Sequence, residues 1–145
     1  MRIPDQLVVT RVFDAAPQQL WDAFTDPDKL HKFFGPAGTT IPREEVTMDV
    51  RVGGEFSLTM HNDENGELYP MQAEYVVLDE PNKLQFKTTG GITGTIEIED
   101  LGMLGKTLLT WSTKAPFDES FYASAVIGTH SAIDNLGHLL TGAVE

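Results

Sequence analysis

The sequence predicts an α+β domain in which a curved antiparallel sheet wraps around one long C-terminal helix. Three observations support this fold class. Apolar and polar residues alternate with a period of two through most of residues 46–113, which is typical of strands. Short turns rich in Gly, Pro, Asn and Asp separate these strands, so neighbouring strands should pair as an antiparallel meander. The period then becomes helical over 119–140, and such a helix buries its apolar stripe against the sheet.

Two short helices are predicted between the first strand and the rest of the sheet. The run Asp14-Ala15-Ala16-Pro17 breaks the first strand, and its proline suits the first turn of a helix. Asp26 is a suitable N-cap for a second helix with Pro27 at the next position, and Gly35-Pro36 ends that helix. The predicted ranges are a strand at 7–13, helices at 18–24 and 27–34, and a loop at 37–45.

Six further strands are predicted before the final helix. Gly53-Gly54 and Gly90-Gly91 suit tight turns between strands, and neither is followed by a helix or a Lys-Ser/Thr pair that would indicate a phosphate site. The predicted strands are 46–52, 55–60, 71–78, 84–88, 92–99 and 106–113, with a turn at 102–105.

Strand alternation divides the side chains between an apolar face and a charged face. The apolar face should point inward, and it contains no Asp, Glu, Lys, Arg or His. The predicted inward residues are Met48, Val50, Phe56, Leu58, Met60, Met71, Ala73, Tyr75, Val77, Leu84, Phe86, Thr88, Ile92, Ile96, Ile98, Leu109 and Trp111.

The final helix presents one apolar face to that sheet. Its predicted residues are Phe121, Tyr122, Ala125, Val126, Thr129, Ala132, Ile133, Leu136, Leu139 and Leu140. The middle of this face is small, at Ala125, Gly128, Thr129 and Ala132. Small residues opposite a curved sheet either leave a cavity or let the large sheet residues fill the space, and the pattern leaves both outcomes open.

Composition restricts the classes of function. The length of 145 residues predicts a single domain over 1–145. The chain has no cysteine, no secretory leader pattern and no apolar run long enough to span a bilayer, so a cytoplasmic protein is expected. The net charge is −12 and the ten Lys and Arg residues form no cluster, which disfavours nucleic acid and anionic membranes as partners.

Few residues indicate metal or catalytic chemistry. His130, Asp134 and His138 have i, i+4 spacing, but they lie off the apolar face, which favours a surface pair over a metal site. There is no zinc-protease, nucleophile-elbow or P-loop motif. We therefore predict no catalytic residue, no metal and no cofactor.

A series of motifs along the chain resembles one known family. They are Asp14-Ala15-Ala16-Pro17 with Trp21; Thr25-Asp26-Pro27 with Leu30; Phe33-Phe34-Gly35-Pro36; Asp49-x-Arg51-x-Gly53-Gly54-x-Phe56 with Met60; Tyr75; Pro81-x-Lys83-Leu84-x-Phe86; and Gly128 with Ile133 and Leu136. Together they resemble the family of heat-shock-protein ATPase activator homologues in the START-like (SRPBCC) superfamily. The resemblance implies a helix-grip fold with an internal cavity for apolar or amphipathic molecules. It implies no single activity, because relatives include lipid carriers, hormone binders, polyketide cyclases and co-chaperone domains.

The chain departs from the family pattern at two places. Phe33-Phe34 stands where two Trp residues are common, which implies a slightly wider cavity mouth. Thr129 stands where Trp commonly follows Gly128, and the loss of an indole there either enlarges the cavity or lets other side chains collapse inward.

The sequence thus predicts binding of a hydrophobic or amphipathic small molecule in a cavity between sheet and helix. The predicted cavity residues are Phe56, Met60, Met71, Tyr75, Phe86, Thr88, Trp111, Tyr122, Val126 and Thr129, with Phe33, Phe34 and Pro36 at its mouth. One alternative is an enzyme of the polyketide cyclase/dehydratase or hydrolase type, which would need Glu74 or His61 turned inward. Another is a co-chaperone-like protein-interaction module. The oligomeric state stays open, a homodimer included.

Overall fold

The computed structural model describes residues 4–102 and 105–141, and it confirms the predicted α+β helix-grip architecture. The strands are β1 Gln6–Asp14, β2 Thr39–Thr40, β3 Thr47–Met48, β4 Glu55–Asn62, β5 Leu68–Asp79, β6 Lys83–Thr88, β7 Thr93–Asp100 and β8 Lys106–Lys114. The helices are α1 Pro17–Thr25, α2 Pro27–Phe33 and α3 Glu119–Thr141, with a 3-10 turn at Arg43–Glu45.

All pairings in the sheet are antiparallel. Its spatial order is β1-β8-β7-β6-β5-β4, and the short strands β2 and β3 both pair with β4. Strands β4 to β8 are therefore a meander, and β1 closes onto β8 from the other end of the chain. This order leaves one concave face, and α3 packs within it against β1, α1 and α2.

Local sequence accounts for both short helices. The Gln19 side chain accepts a hydrogen bond from the backbone N–H of Ala16 at 2.8 Å, which satisfies a donor at the start of α1. Asp26 caps α2 as predicted, since its Oδ1 accepts from Asp28 N at 2.9 Å. Arg43 then attaches the following loop to α2 through Asp28 at 2.5 Å. Its hydrogen bond to the Asp28 carboxyl, together with its positive charge, lowers the pKa of that carboxyl.

The predicted strand at 46–52 is wrong beyond Met48. Residues 49–54 form a turn in which Arg51 N donates to Asp49 O and Gly54 N donates to Arg51 O, both at 2.8 Å. Gly53 has a φ of +85°, a backbone conformation that would be strained for a residue with a side chain. Val50 was expected inside but is 41% exposed. The alternation of apolar and polar residues continues through this turn, but the strand geometry that would bury Val50 ends at Met48.

Val77 was also assigned to the wrong face. The pairing of β5 with β6 shifts by one residue between Tyr75 and Val77, so Val77 lies opposite Gln85 and Leu78 lies opposite Leu84. Leu78 consequently packs against the core in the place predicted for Val77. A bulge of this kind reverses the facing of every residue after it in the strand.

Other expectations fall outside these elements. Ile92 precedes β7 and is half-buried, and its backbone closes the turn after β6. Met103 and Leu104, in the turn predicted at 102–105, lie outside the described residues. Within residues 4–102 and 105–141, none of the helices combines the length and apolar character needed to cross a membrane.

Candidate functional site

Aromatic rings fill the deep part of the concave face. Phe56 stacks on Tyr75 with ring centroids 5.3 Å apart and meets Phe86 edge-on at 5.1 Å. Phe34 lies over this group, 5.7 Å from Phe56, and stacks on Trp111 at 5.5 Å. These separations are those of favourable aromatic pairs. We call Phe34, Phe56, Tyr75, Phe86 and Trp111 the aromatic cluster.

Phe34 reaches the cluster because of where α2 ends. It is the C-cap residue of α2, and its N–H donates to Leu30 O at 3.0 Å. The chain then leaves the helix, and the ring points beneath α3 rather than into solvent, with 8% of the residue exposed. Its neighbour Phe33 points elsewhere in the core, where it meets Phe24 edge-on at 5.1 Å.

Gly94 makes room for one ring of the cluster. A Cβ atom at this position would lie 2.4 Å from Cζ of Phe86, which is far closer than atoms approach without displacement. Gly94 and Phe86 face each other across the β6–β7 pair. The missing side chain therefore lets the Phe86 ring lie flat across the neighbouring strand.

Tyr75 carries the one buried side-chain polar atom without a hydrogen-bond partner among the described residues, its hydroxyl oxygen. The residue is fully buried. Burial raises the pKa of the Tyr75 phenol above its usual range, and the negative charge of Asp49 raises it further. The hydroxyl is thus held in its neutral form and is unsuited to act as a base.

Beside the aromatic cluster, the space between α3 and the sheet is open to solvent. This cleft has a volume of about 630 Å³. Its lining residues come from the chain after α2, the β4–β5 hairpin, β8 and the first half of α3. They are Phe34, Pro36, Thr39, Met60, Tyr69, Trp111, Phe121, Ser124, Ala125, Gly128, Thr129 and Ala132.

The cleft exists because α3 presents small residues along it. Gly128 is needed for the close approach of the loop, since a Cβ there would lie 3.1 Å from Cβ of Pro36. Ser131 then fastens the loop to the helix, because its Oγ accepts from Ala37 N at 2.7 Å. The loop thus forms one wall while the Ala and Thr side chains of α3 leave the interior unfilled.

Polar groups at the cleft are few and uncharged. Thr39 Oγ1 donates to Pro36 O at 2.7 Å, and the Tyr69 hydroxyl donates to Glu67 at 2.9 Å. No Asp, Glu, Lys, Arg or His is among the lining residues that the structure describes. Such a lining has the apolar surface and the few hydroxyl groups typical of small-molecule sites, and its described residues offer no carboxylate, imidazole or amine for proton transfer.

Comparison with known proteins identifies the family. The family described as activator of Hsp90 ATPase homolog 1-like protein matches residues 14–141. The chain belongs to this family. No curated protein matches the sequence.

Solved structures show that the fold is shared across distant sequences. A protein from Chromobacterium violaceum is 22% identical with a TM-score of 0.85, over 94% of this chain and 98% of that one. One from Mycobacterium smegmatis is 25% identical with a TM-score of 0.80, over 95% and 92%. An activator-homologue-like protein from Aeromonas hydrophila is 16% identical with a TM-score of 0.79, over 95% and 93%. Family and fold together support a ligand-binding or activator module in general terms.

The structure separates the predicted cavity residues of this family member into two groups. Met60, Trp111 and Thr129 line the cleft, as do Phe34 and Pro36 from the predicted mouth. The others lie elsewhere: Phe56, Tyr75 and Phe86 are in the aromatic cluster, Phe33 is in the core, and Met71, Tyr122 and Val126 pack against the core without lining the cleft. Thr88 Oγ1 accepts from Ile92 N at 3.1 Å, so this hydroxyl closes a turn.

Sequence reasoning missed several lining residues. Tyr69 was left outside the predicted strands because the strand was predicted to start at residue 71, whereas β5 begins at Leu68. Thr39 was placed in a loop, but it pairs with Asn62 of β4. Phe121 was predicted to be buried and is 38% exposed, because the cleft beneath it is open. Residues 68–70 are too few to show a period-two pattern of their own, so the sequence did not predict that β5 extends back to Leu68.

The ionisable groups required by the enzyme alternative point away from the cleft. Glu74 is exposed and lies opposite Lys87 on the outer face. His61 Nε2 is 2.7 Å from Glu45 Oε1, which holds the ring against the 3-10 turn. Asp134, which the sequence placed on the helix surface, meets Arg11 of β1 at 2.5 Å. Among the described residues, no three His, Cys, Asp or Glu side chains are grouped to hold a metal ion.

Proposed function

We propose that this protein binds a hydrophobic or amphipathic small molecule in the cleft between α3, β8 and the β4–β5 hairpin. The observation that carries the proposal is a space of about 630 Å³ lined by apolar and small side chains. That volume lies within the ~300–1,000 Å³ typical of small-molecule sites. The aromatic cluster beneath it is closed, so the ligand would lie above Phe34 and Trp111 and not inside the sheet.

The chemistry of the lining suits a flat or flexible apolar body. Phe34 and Trp111 are stacked with an interplanar angle of 26°, and together they offer an aromatic floor. Met60 on the opposite wall adapts its shape to its partner because its side chain is unbranched. Thr129 and Ser124 supply hydroxyl groups for orientation.

A fluorescent probe tests this proposal. N-phenyl-1-naphthylamine is uncharged and brightens when it leaves water, so titration should give a saturable increase with the wild-type protein. Ala125→Trp places an indole in the cleft and should weaken binding by at least about tenfold, or about 1.4 kcal/mol. Ala123→Trp is the matched control, because Ala123 is exposed on the same helix and does not line the cleft.

A second blocking variant guards against misfolding of the first. Thr129→Trp introduces the Trp that is common at this position in the family that the chain resembles. It should weaken probe binding by a similar factor. Circular dichroism and thermal unfolding would establish that each variant is folded. Equal binding by wild type, Ala125→Trp and Thr129→Trp would refute the proposal. As an independent check, native mass spectrometry of the wild-type protein before and after organic extraction would detect any copurifying molecule, and analysis of the extract would identify it.

Activation of a protein partner is the second candidate function. The observation in its favour is exposed apolar surface beside the cleft, where Leu68 is 58% and Tyr69 is 43% exposed. Leu68→Asp would weaken a protein contact but leave the probe titration unchanged, so the two functions are separable. The enzyme alternative, the single domain over 1–145, the cytoplasmic location and a homodimer stay predictions.

A further inference from the structure

Three exposed carboxylates lie on the segments that border the cleft, and hydrogen bonds tie them to its lining residues or to the neighbours of these. The Glu67 carboxylate accepts from the hydroxyl of Tyr69, a lining residue, at 2.9 Å. Asp118 Oδ1 accepts from the backbone N–H of Phe121, also a lining residue, at 2.7 Å. Asp63 holds the loop wall, because its Oδ1 accepts from Thr40 and its N–H donates to Gly38 O. Each carboxylate is exposed. Glu67 and Asp118 bond directly to lining residues, whereas Asp63 bonds to Thr40 and Gly38, the two chain neighbours of the lining residue Thr39.

The segments that build this rim carry no Lys or Arg, and their histidines are His61, which pairs with Glu45, and His130. These segments are residues 33–42, 60–71 and 115–137. The ion pairs in the described part of the chain occupy Asp14, Asp28, Glu45, Asp49 and Asp134, none of which is a rim carboxylate. Along β8, the basic residue nearest to the lining residue Trp111 is Lys114. Because the two are three positions apart in a strand, their side chains point to opposite faces of the sheet. The rim segments therefore hold acidic residues and no Lys or Arg.

We propose that the cleft selects its ligand by charge and takes apolar molecules that carry an amine or other cationic group in preference to carboxylates. This inference rests on the proposed function, since it names the ligand class of the same cleft. The apolar body would lie on Phe34 and Trp111, and the cationic group would remain at the rim beside Glu67 and Asp118. An anionic group placed there meets like charge and finds no counter-ion.

The size of this preference follows from exposed electrostatics. An exposed ion pair changes a binding constant by up to about fivefold, so three rim carboxylates acting on one ligand charge amount to about tenfold or more between a cation and an anion. Salt screens exposed charges over about 10 Å at 0.1 M, so the preference should shrink as salt is added. A difference caused by shape alone would not depend on salt.

A pair of competitors with the same tail tests the inference. Decylamine, protonated at pH 7, and decanoate are titrated separately into protein loaded with N-phenyl-1-naphthylamine, below their aggregation concentrations. Decylamine should displace the probe at a concentration at least about tenfold lower than decanoate at low salt. The variant Asp63→Asn/Glu67→Gln/Asp118→Asn keeps the hydrogen-bonding shapes and should bring the two values together.

The control removes the same number of charges from the outer face of the sheet. The variant Glu74→Gln/Glu97→Gln/Glu99→Gln should keep the tenfold difference, because these exposed residues face away from the cleft. Equal displacement by the two competitors in wild type, or a preference that the rim variant retains in full, would overturn the inference while leaving the binding proposal intact. Absence of any probe signal would instead reject the binding proposal itself.

Discussion

The two ends of the space beneath α3 are built by opposite means. At the deep end, Phe34 from the end of α2 fills the concavity of the sheet and meets three further rings. At the cleft, the facing residues of α3 are Ala125, Gly128 and Ala132, and nothing from the sheet replaces the missing volume. The same helix and sheet thus enclose a packed core and an open cleft. The difference shows that side-chain volume at a few positions, and not the fold, decides where space stays open.

The largest expected effect comes from removing a ring at the deep end. Phe56→Ala should lower the free energy of unfolding by about 3–5 kcal/mol, because a cavity replaces a residue that is 2% exposed and touches three rings. Met60→Ala, at the open cleft, should cost about 1 kcal/mol, since less contact is lost where one side of the residue faces solvent. Urea denaturation measures both. Equal losses would contradict the distinction between a packed end and an open end.

Adding a methyl group at the deep end should also be costly. Gly94→Ala would push a Cβ into the Phe86 ring, and overpacking of this kind costs about 1–3 kcal/mol. Gly90→Ala is the matched control, because the nearest atom to its Cβ would be Thr88 Oγ1 at 3.8 Å. Thermal unfolding of the two variants compares them directly, and a Gly94→Ala protein as stable as the control would show that the ring moves aside freely.

Replacing Tyr75 should change the free energy of unfolding by a smaller amount, and this change should depend on pH. Removing its unpartnered buried hydroxyl in Tyr75→Phe should raise the free energy of unfolding by about 1 kcal/mol at pH 7. The pKa of the phenol is raised above its usual value of 10.0, so the unfolded chain releases this proton first. Wild-type stability should therefore hold below pH 10 and fall above it.

The comparison of wild type and Tyr75→Phe isolates this titration. Lysines and the other tyrosines are common to both proteins, so their contribution cancels in the difference. Urea denaturation from pH 8 to pH 11 should show the gap between the two proteins widening above pH 10. A gap that stays constant over that range would mean that water reaches the hydroxyl in solution, so that burial does not raise its pKa.

The smallest change in stability is expected at the cleft, where function should change most. Ala125→Trp should alter the free energy of unfolding by less than about 1 kcal/mol, because the indole enters existing space and displaces no packed side chain. The same variant should lose the fluorescent probe. A loss of stability as large as that of Gly94→Ala would indicate that the cleft is closed in solution.

The sequence predicted the sheet, the helices and most facings, because period-two alternation records which side of a strand is buried. Val50 and Val77 were misplaced where a turn and a bulge interrupt the strand without interrupting the pattern. Small residues at Ala125, Gly128, Thr129 and Ala132 marked the helical wall of the cleft. The path of Phe34 was beyond prediction, since it depends on how α2 packs against the sheet. The sequence left open whether the space beneath α3 is a cavity or is filled by large side chains. The structure has filled space at the deep end and open space at the cleft.

The most direct test of this account is a methyl NMR titration of the protein with N-phenyl-1-naphthylamine, after labelling of Met, Ala, Thr, Ile and Leu methyl groups. The account predicts shifts at Met60, Thr129 and Ala132, which line the cleft. Methyl groups of Leu58, Ile96 and Leu109, each at most 2% exposed, should stay unchanged. Shifts concentrated at those three buried residues, with none in the cleft, would contradict the account, because the ligand would then enter the sheet where the aromatic cluster leaves no room.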